Sequence, residues 1–198
     1  MEAIATGLGL SSSAGLNAYL PLLLFNLAVR FELIDAEGAT AEKLASWQAL
    51  AIFSILLIVE MIVDKVPVLD TLNDIVGTVI RPVAGAALMS ASTGSLQNDI
   101  DPTTLQWIAL ITGGISAGSV HGVKAVSRPL ITGTTGGTGN WAVSIFEDII
   151  SFGVSIFAIL LPFIMIFVAV SIVILALWWL WETQRRDMVT HYYKGKNQ

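Results

Sequence analysis

Three stretches of this chain, residues 3–29, 102–123 and 149–181, contain no Asp, Glu, Lys or Arg. Each is at least as long as the roughly 20 helical residues that cross the hydrocarbon core of a bilayer. A soluble domain needs a polar face along its surface helices and has no use for three such runs. Two shorter runs, 44–59 and 82–98, reach the same length only if neighbouring polar groups are masked or snorkel to the interface. Composition agrees: of 198 residues, 55% are hydrophobic, only 13% are charged and none is Cys, which is the balance of a membrane protein. The expected fold is an all-α integral membrane protein with about five transmembrane helices. Residues 1–182 would form a single transmembrane domain and 183–198 a basic cytoplasmic tail.

The net charge of −5 owes part of its size to one acidic loop, "RFELIDAEG" at 30–38, so no nucleic-acid partner is indicated. The first residues lack the basic n-region of a signal peptide, and the apolar run behind them is too long for an h-region. A retained first helix is expected there, with Ser13 and Asn17 on one face and a kink where Pro21 deprives a carbonyl of its usual donor. Arg185, Arg186, Lys194 and Lys196 make the tail the densest positive cluster and place the C-terminus in the cytoplasm. Five crossings of the cell (inner) membrane then put the N-terminus outside.

The charges outside the termini gather in two modules. The first, "EMIVDKVPVLDTLNDIVGTVIRP", starts at Glu60. Glu60 and Asp64 are four apart, on one face of a helix end, with Lys65 beside them. Pro67 argues for a break. Beyond it Asp70 and Asp74 repeat the four-residue spacing, and Arg81 follows two turns after Asp74. The second module holds His121, Lys124 and Arg128, then "GTTGGTGN" ending at Asn140, then Ser144, Glu147 and Asp148. Ser144, Asp148, Ser151 and Ser155 recur at helical spacing as a polar stripe, which in lipid must face protein or water. Gly114, Gly118 and Gly122 form a smooth ridge suited to a close helix crossing. Segments 60–81 and 124–148 are candidates for re-entrant elements. Each half also carries an Arg-Pro pair, Arg81–Pro82 and Arg128–Pro129, and an acid ahead of an apolar run, "LNDIV" and "FEDII". An internal repeat would explain this.

Six acids in the two modules face Lys65, Arg81, Lys124, Arg128 and, if protonated, His121. Such near-balance predicts pairing across the modules, because an unpaired charge at membrane depth is costly. Either the modules line a shared polar cavity, or their charges sit among headgroups and merely end helices. The glycine-rich "TGTTGGTGN" is either a surface loop or a set of backbone groups for an ion. It matches no nucleotide-binding fingerprint. A zinc site is not supported, whereas Glu60, Asp64, Asp70 and Asp74 supply the oxygen chemistry of a hard divalent cation, so a metal stays an open question.

"SSSAGLNAYLPLLL", "VEMIVDKVPVLDTLNDIVGTVIRPVAGA", "HGVKAVSRP" and "NWAVSIFED" resemble the signature blocks of a multi-pass family of bacterial membrane proteins, the domain of unknown function 4126. The resemblance runs from about Ser11 to Asp148. It implies an integral membrane domain with these polar blocks as its hallmark, and it carries no activity with it.

The expected function is a small transporter or channel that passes a small ion or polar solute through a cavity lined by 60–81 and 121–148. Asn17 and the polar residues of both modules, Asn140 and Ser144 included, would line it. The partners would be the lipid bilayer, the solute and further copies of the chain; no cofactor is expected, and an enzyme is the less favoured reading. Two alternatives stay open: a scaffold whose charges fix helix packing, and a magnesium-dependent enzyme acting on lipid-linked phosphates. "DTLND" lacks the second aspartate-rich copy that prenyl-transfer enzymes use.

Overall fold

The computed structural model describes residues 2–65, 69–98 and 100–162, and, of the stretch 163–185, residues 164, 167, 168, 170–175, 177–179, 181–183 and 185, without the side chains of 70, 71, 97 and 98. The described residues are helical apart from short connections. In order they form α1 (Glu2–Ala14), α2 (Tyr19–Arg30), α3 (Ala39–Leu44), α4 (Trp47–Val63), α5 (Leu69–Ser92), a 3-10 turn (Gly94–Asn98), α6 (Pro102–Thr135) and α7 (Thr138–Leu160).

The first apolar run is not one helix. It breaks between Ala14 and Tyr19, four residues before the expected kink. Pro21 explains the position: in a continuous helix its ring would clash with the carbonyl of residue 17, whereas in the first turn of α2 its missing N–H is of no consequence. Asn17 then caps the new helix, its Oδ1 accepting from the backbone N–H of Leu20 at 3.0 Å and of Tyr19 at 3.2 Å. Gly15 is required for space as well, because a Cβ there would stand 2.6 Å from Val120 Cβ.

The chain reverses at this break. α1 runs antiparallel to α5, with Gly7 against Met89 and the Ser11 hydroxyl donating to Gly85 O at 2.7 Å. It runs parallel to α6, where Ser12 meets Ser116, and antiparallel to α7, where the Ser13 hydroxyl lies 2.8 Å from Ser151 Oγ and 2.7 Å from Ser155 Oγ. α2 returns along α4: Ala18 meets Glu60 at one end, and Asn26 and Arg30 bond the carbonyls of Leu44, Ala45 and Ser46 at the other. Arg30 also stacks over Trp47, 3.7 Å from the ring centre. Residues 33–37, which follow α2, border the same cavity as Glu2, Ala3 and Thr6 of α1. α1 and α2 are therefore two arms of a hairpin, its tip at 15–18 buried among α4 to α7.

α5 and α6 make the most extensive helix pair. Their tightest contact lies one position away from the expected glycine ridge: Gly113 and Ala117 meet Gly85, whereas Gly114 and Gly118 face Pro82 and Ala86 of α5 at ordinary contact distance, and nothing lies within 4 Å of a Cβ at Gly122. The sequence "TGTTGGTGN" is mostly helix rather than loop. Only Gly136 (φ 63) and Gly137 (φ 87) leave it, forming the left-handed two-residue turn between α6 and α7. The segment 124–148 is consequently a helical hairpin whose arms continue well beyond the turn. Both Arg-Pro pairs lie inside helices, Arg81–Pro82 in α5 and Arg128–Pro129 in α6. At the far end Asp101 caps α6 by accepting from Thr104 N at 2.8 Å and Thr104 Oγ1 at 2.9 Å. Those bonds hold its carboxyl below the usual aspartate range.

Burial is inverted relative to a soluble bundle. Arg81 is 0% exposed, while Val79, Ile115 and Val123 are 68%, 64% and 73% exposed. The hydrophobic interior is made largely of alanines, with Leu10, Phe25 and Leu88 among them. Two helices, Leu72–Ser92 within α5 and Thr138–Leu160, are long and apolar enough to cross a membrane. The run 149–181 is interrupted, since α7 stops at Leu160 and Leu161 leaves the helical conformation.

Candidate functional site

Both polar modules converge on the hairpin tip. α4 ends with Glu60 and Asp64 pointing at it, and both are buried. The expected break near Pro67 falls between Val63, the last residue of α4, and Leu69, the first of α5; residues 66–68 themselves lie outside the described residues. After this break Asp74 and Arg81 share a face of α5, as their spacing predicts, and stand 3.5 Å apart.

Two buried cations organise the cluster. Lys124 Nζ lies 3.1 Å from Glu147, 3.2 Å from Asp64 and 3.8 Å from Asp74, and donates to the carbonyl of Leu16 at 3.1 Å. Arg81 reaches Glu60 at 3.2 Å, Asp74 at 3.5 Å and the carbonyl of Gly15 at 3.4 Å. Arg128 pairs with Glu147 and lies 3.8 Å from Asp64. At the rim, half-buried Lys65 bridges to Asp148 at 3.3 Å, and Asp148 accepts from Asn17 Nδ2 at 2.9 Å. The hairpin thus offers the cluster both kinds of helix end. Carbonyls 15 and 16, at the negative end of α1, meet Arg81 and Lys124, and the amide of Ala18, at the positive end of α2, meets the Glu60 carboxylate at 3.2 Å.

His121 is not a further cation. Arg81 Nη1 can only donate, so Nδ1 of His121, 2.8 Å away, must accept. The ring proton then belongs to Nε2, which faces Thr78 Oγ1 at 3.2 Å. This leaves five described acids, Glu60, Asp64, Asp74, Glu147 and Asp148, against four cations, Lys65, Arg81, Lys124 and Arg128. The Asp70 side chain lies outside the described residues. Asn140 is buried, and its side chain donates to Thr132 across the α6–α7 turn at 2.8 Å. Ser144 is fully buried on the face of α7 that carries Asp148, Ser151 and Ser155, and its hydroxyl has no hydrogen-bond partner among the described residues.

No three His, Asp or Glu side chains among the described residues are grouped to hold a metal ion. Side-chain cations take that place: Lys124 Nζ sits among Asp64, Asp74 and Glu147, and Arg81 between Glu60 and Asp74. Sequence reading missed the backbone of 15, 16 and 18 as part of the site. It also missed Asn73, whose amide donates to Asp64 at 2.6 Å, and Thr78. For the backbone groups the signal was present in Gly15, Asn17 and Pro21; for Asn73 and Thr78 nothing in the spacing singled them out.

An all-helical bundle with charged groups inside, apolar groups outside and a helix broken at the charges is the class that this fold and site define. The chain belongs to the family described as Domain of unknown function (DUF4126), which matches residues 4–182. No curated protein and no solved structure matches it.

Proposed function

We propose that this protein is an inner-membrane transporter or channel that passes a small ion or polar solute by way of the charged cluster at the hairpin tip. The observation that carries this reading is the discontinuous first helix. Half-helices whose ends meet inside a bundle leave backbone carbonyls and amides facing a site, the arrangement by which many transporters hold ions at mid-membrane. Here those ends face buried carboxylates and cations from α4, α5, α6 and α7. Membrane embedding is supported by the inverted burial and by the two apolar helices. At 13 residues, α1 is about 20 Å long, too short to cross a hydrocarbon core of about 30 Å, so the hairpin dips in from one side. Lipid and further copies of the chain cover the outward apolar faces. Ser144 supplies a hydroxyl that a passing solute or water can engage.

A packing scaffold is the second reading, favoured by the completeness with which Lys124 is paired. One experiment separates the two. Full-length protein reconstituted in liposomes is assayed with proton, potassium, sodium and glycerol gradients, alongside Asp64→Asn, which keeps the side chain's size and its ability to bond Asn73. Flux of one of these species above that of empty vesicles, cut at least tenfold by the substitution in protein that still elutes as folded, supports transport. Equal flux in wild type and variant, or none from folded wild type for any of the four, contradicts it.

A further inference from the structure

At the end of the bundle opposite the charged cluster, between the open ends of the α1–α2 hairpin and the C-terminal ends of α5 and α7, lies a cavity of about 820 Å³. Its charged lining is acidic without exception among the described residues: Glu2 from the start of α1, and Asp35 and Glu37 from the loop after α2. Deeper in, the wall includes Thr6 and Ser92, 6% and 4% exposed. The hydroxyl of Ser92 has no hydrogen-bond partner among the described residues, which is unusual for a buried polar group and marks a place where a ligand donor or acceptor would be accommodated. Leu33 and Leu160 add apolar surface beside these groups.

We infer that this cavity binds an organic ammonium compound, an amphipathic or multiply charged primary amine, at a site separate from the cluster at the hairpin tip. Three properties select that class. The lining carboxylates have no cation among the described residues that share the cavity, so an anion would be repelled. They do not converge on one point, since no group of three is placed to hold a metal ion, so the fitting charge is spread along a chain or carried on a bulky group. The volume lies within the range of small-molecule sites and far exceeds that of a bare ion. A protein that passed nothing across the membrane could still own this site, so the inference stands apart from the transport reading.

A primary ammonium can come from two sources, a free polyamine or the headgroup of an aminophospholipid, and the experiment separates them. Full-length protein in detergent is titrated calorimetrically with spermidine, then with magnesium at matched ionic strength. The same protein in nanodiscs containing either phosphatidylethanolamine or phosphatidylcholine is titrated with spermidine again. The comparison variants are Asp35→Asn with Glu37→Gln, both on exposed side chains whose loss leaves packing intact, and Glu32→Gln, which removes a neighbouring acid that does not line the cavity. Saturable spermidine binding that magnesium does not reproduce, weakened at least tenfold by the double substitution and unchanged by Glu32→Gln, is the expected result. If the lipid amine is the occupant, spermidine binding survives in phosphatidylcholine discs and is lost in phosphatidylethanolamine discs; if a free polyamine is, the two discs agree. Absence of spermidine binding in detergent and in both discs, equal response to magnesium, or equal weakening by Glu32→Gln overturns the proposal.

Discussion

Replacing Lys124 with Met is expected to remove about 3–5 kcal/mol of stability, enough to unfold most of a marginal protein. The reason is asymmetric: the substitution deletes one buried cation and leaves Asp64 and Glu147 facing each other, with Asp74 close by. It also strips the Leu16 carbonyl of the donor that replaces a helical N–H. Adding Asp64→Asn and Glu147→Gln to Lys124→Met should recover a large part of the loss, because neutral amides need no counter-charge. Urea or thermal unfolding in detergent measures both. A single variant as stable as the wild type, or a triple variant weaker than the single, would show that Lys124 does not hold the cluster together.

The second large effect is steric. Gly113→Leu should separate α5 from α6 and lower stability by about 3 kcal/mol, at the upper end of what overpacking costs. A Cβ at 113 would meet the backbone of Gly85 and stand 2.6 Å from Met89 Cβ, and backbone cannot yield as a flexible side chain can. Gly122→Leu on the same helix, where nothing lies within 4 Å, is expected to be neutral. The pair gives a direct reading by thermal melts monitored through helical circular dichroism. Similar melting of the two variants would mean that the close crossing lies elsewhere.

This contrast also shows where the sequence is legible and where it is not. Four-residue glycine spacing at 114, 118 and 122 correctly signals that α6 approaches another helix. It cannot choose between that row and Gly113–Ala117 beside it, because the choice depends on how α6 is rotated against α5. Asp74 with Arg81, and His121 with Lys124, lie where helical periodicity puts them, since within one helix spacing dictates the face. Pairing across elements is of another kind. Near-balance of charge predicts that the modules meet, but that Lys124 rather than Arg128 sits at the centre follows from packing. His121 gives the sharpest case: its neutral acceptor role comes from the Arg81 guanidinium at 2.8 Å, a neighbour 40 residues away.

The hairpin was half legible. Pro21 and Asn17 announce an interruption of the first run, and Gly15 supplies the close approach that the tip requires. That the chain turns back, instead of bending and continuing, is decided by partners brought from afar: Arg81 and Lys124 for the freed carbonyls, Glu60 for the freed amide, Asp148 for the Asn17 side chain. The glycine-rich segment failed in the opposite direction. Six of the nine residues in "TGTTGGTGN" are Gly or Thr flanking the turn itself, and composition of that kind favours a loop; the helices nevertheless extend into it from both sides, with Thr132 and Asn140 bonded across the gap.

The charged site is built around the reversal at residues 15–18. Because the chain has no Cys, a spin-label pair can be placed without removing anything, at Ala3→Cys on α1 and Leu33→Cys after α2. Pulsed electron paramagnetic resonance on the full-length protein in liposomes then reads the separation. A hairpin puts both sites around one cavity, well under half of the about 45 Å that a continuous helix would impose at 1.5 Å per residue. A distance distribution centred near 45 Å would contradict the broken helix, and with it the site built around its tip.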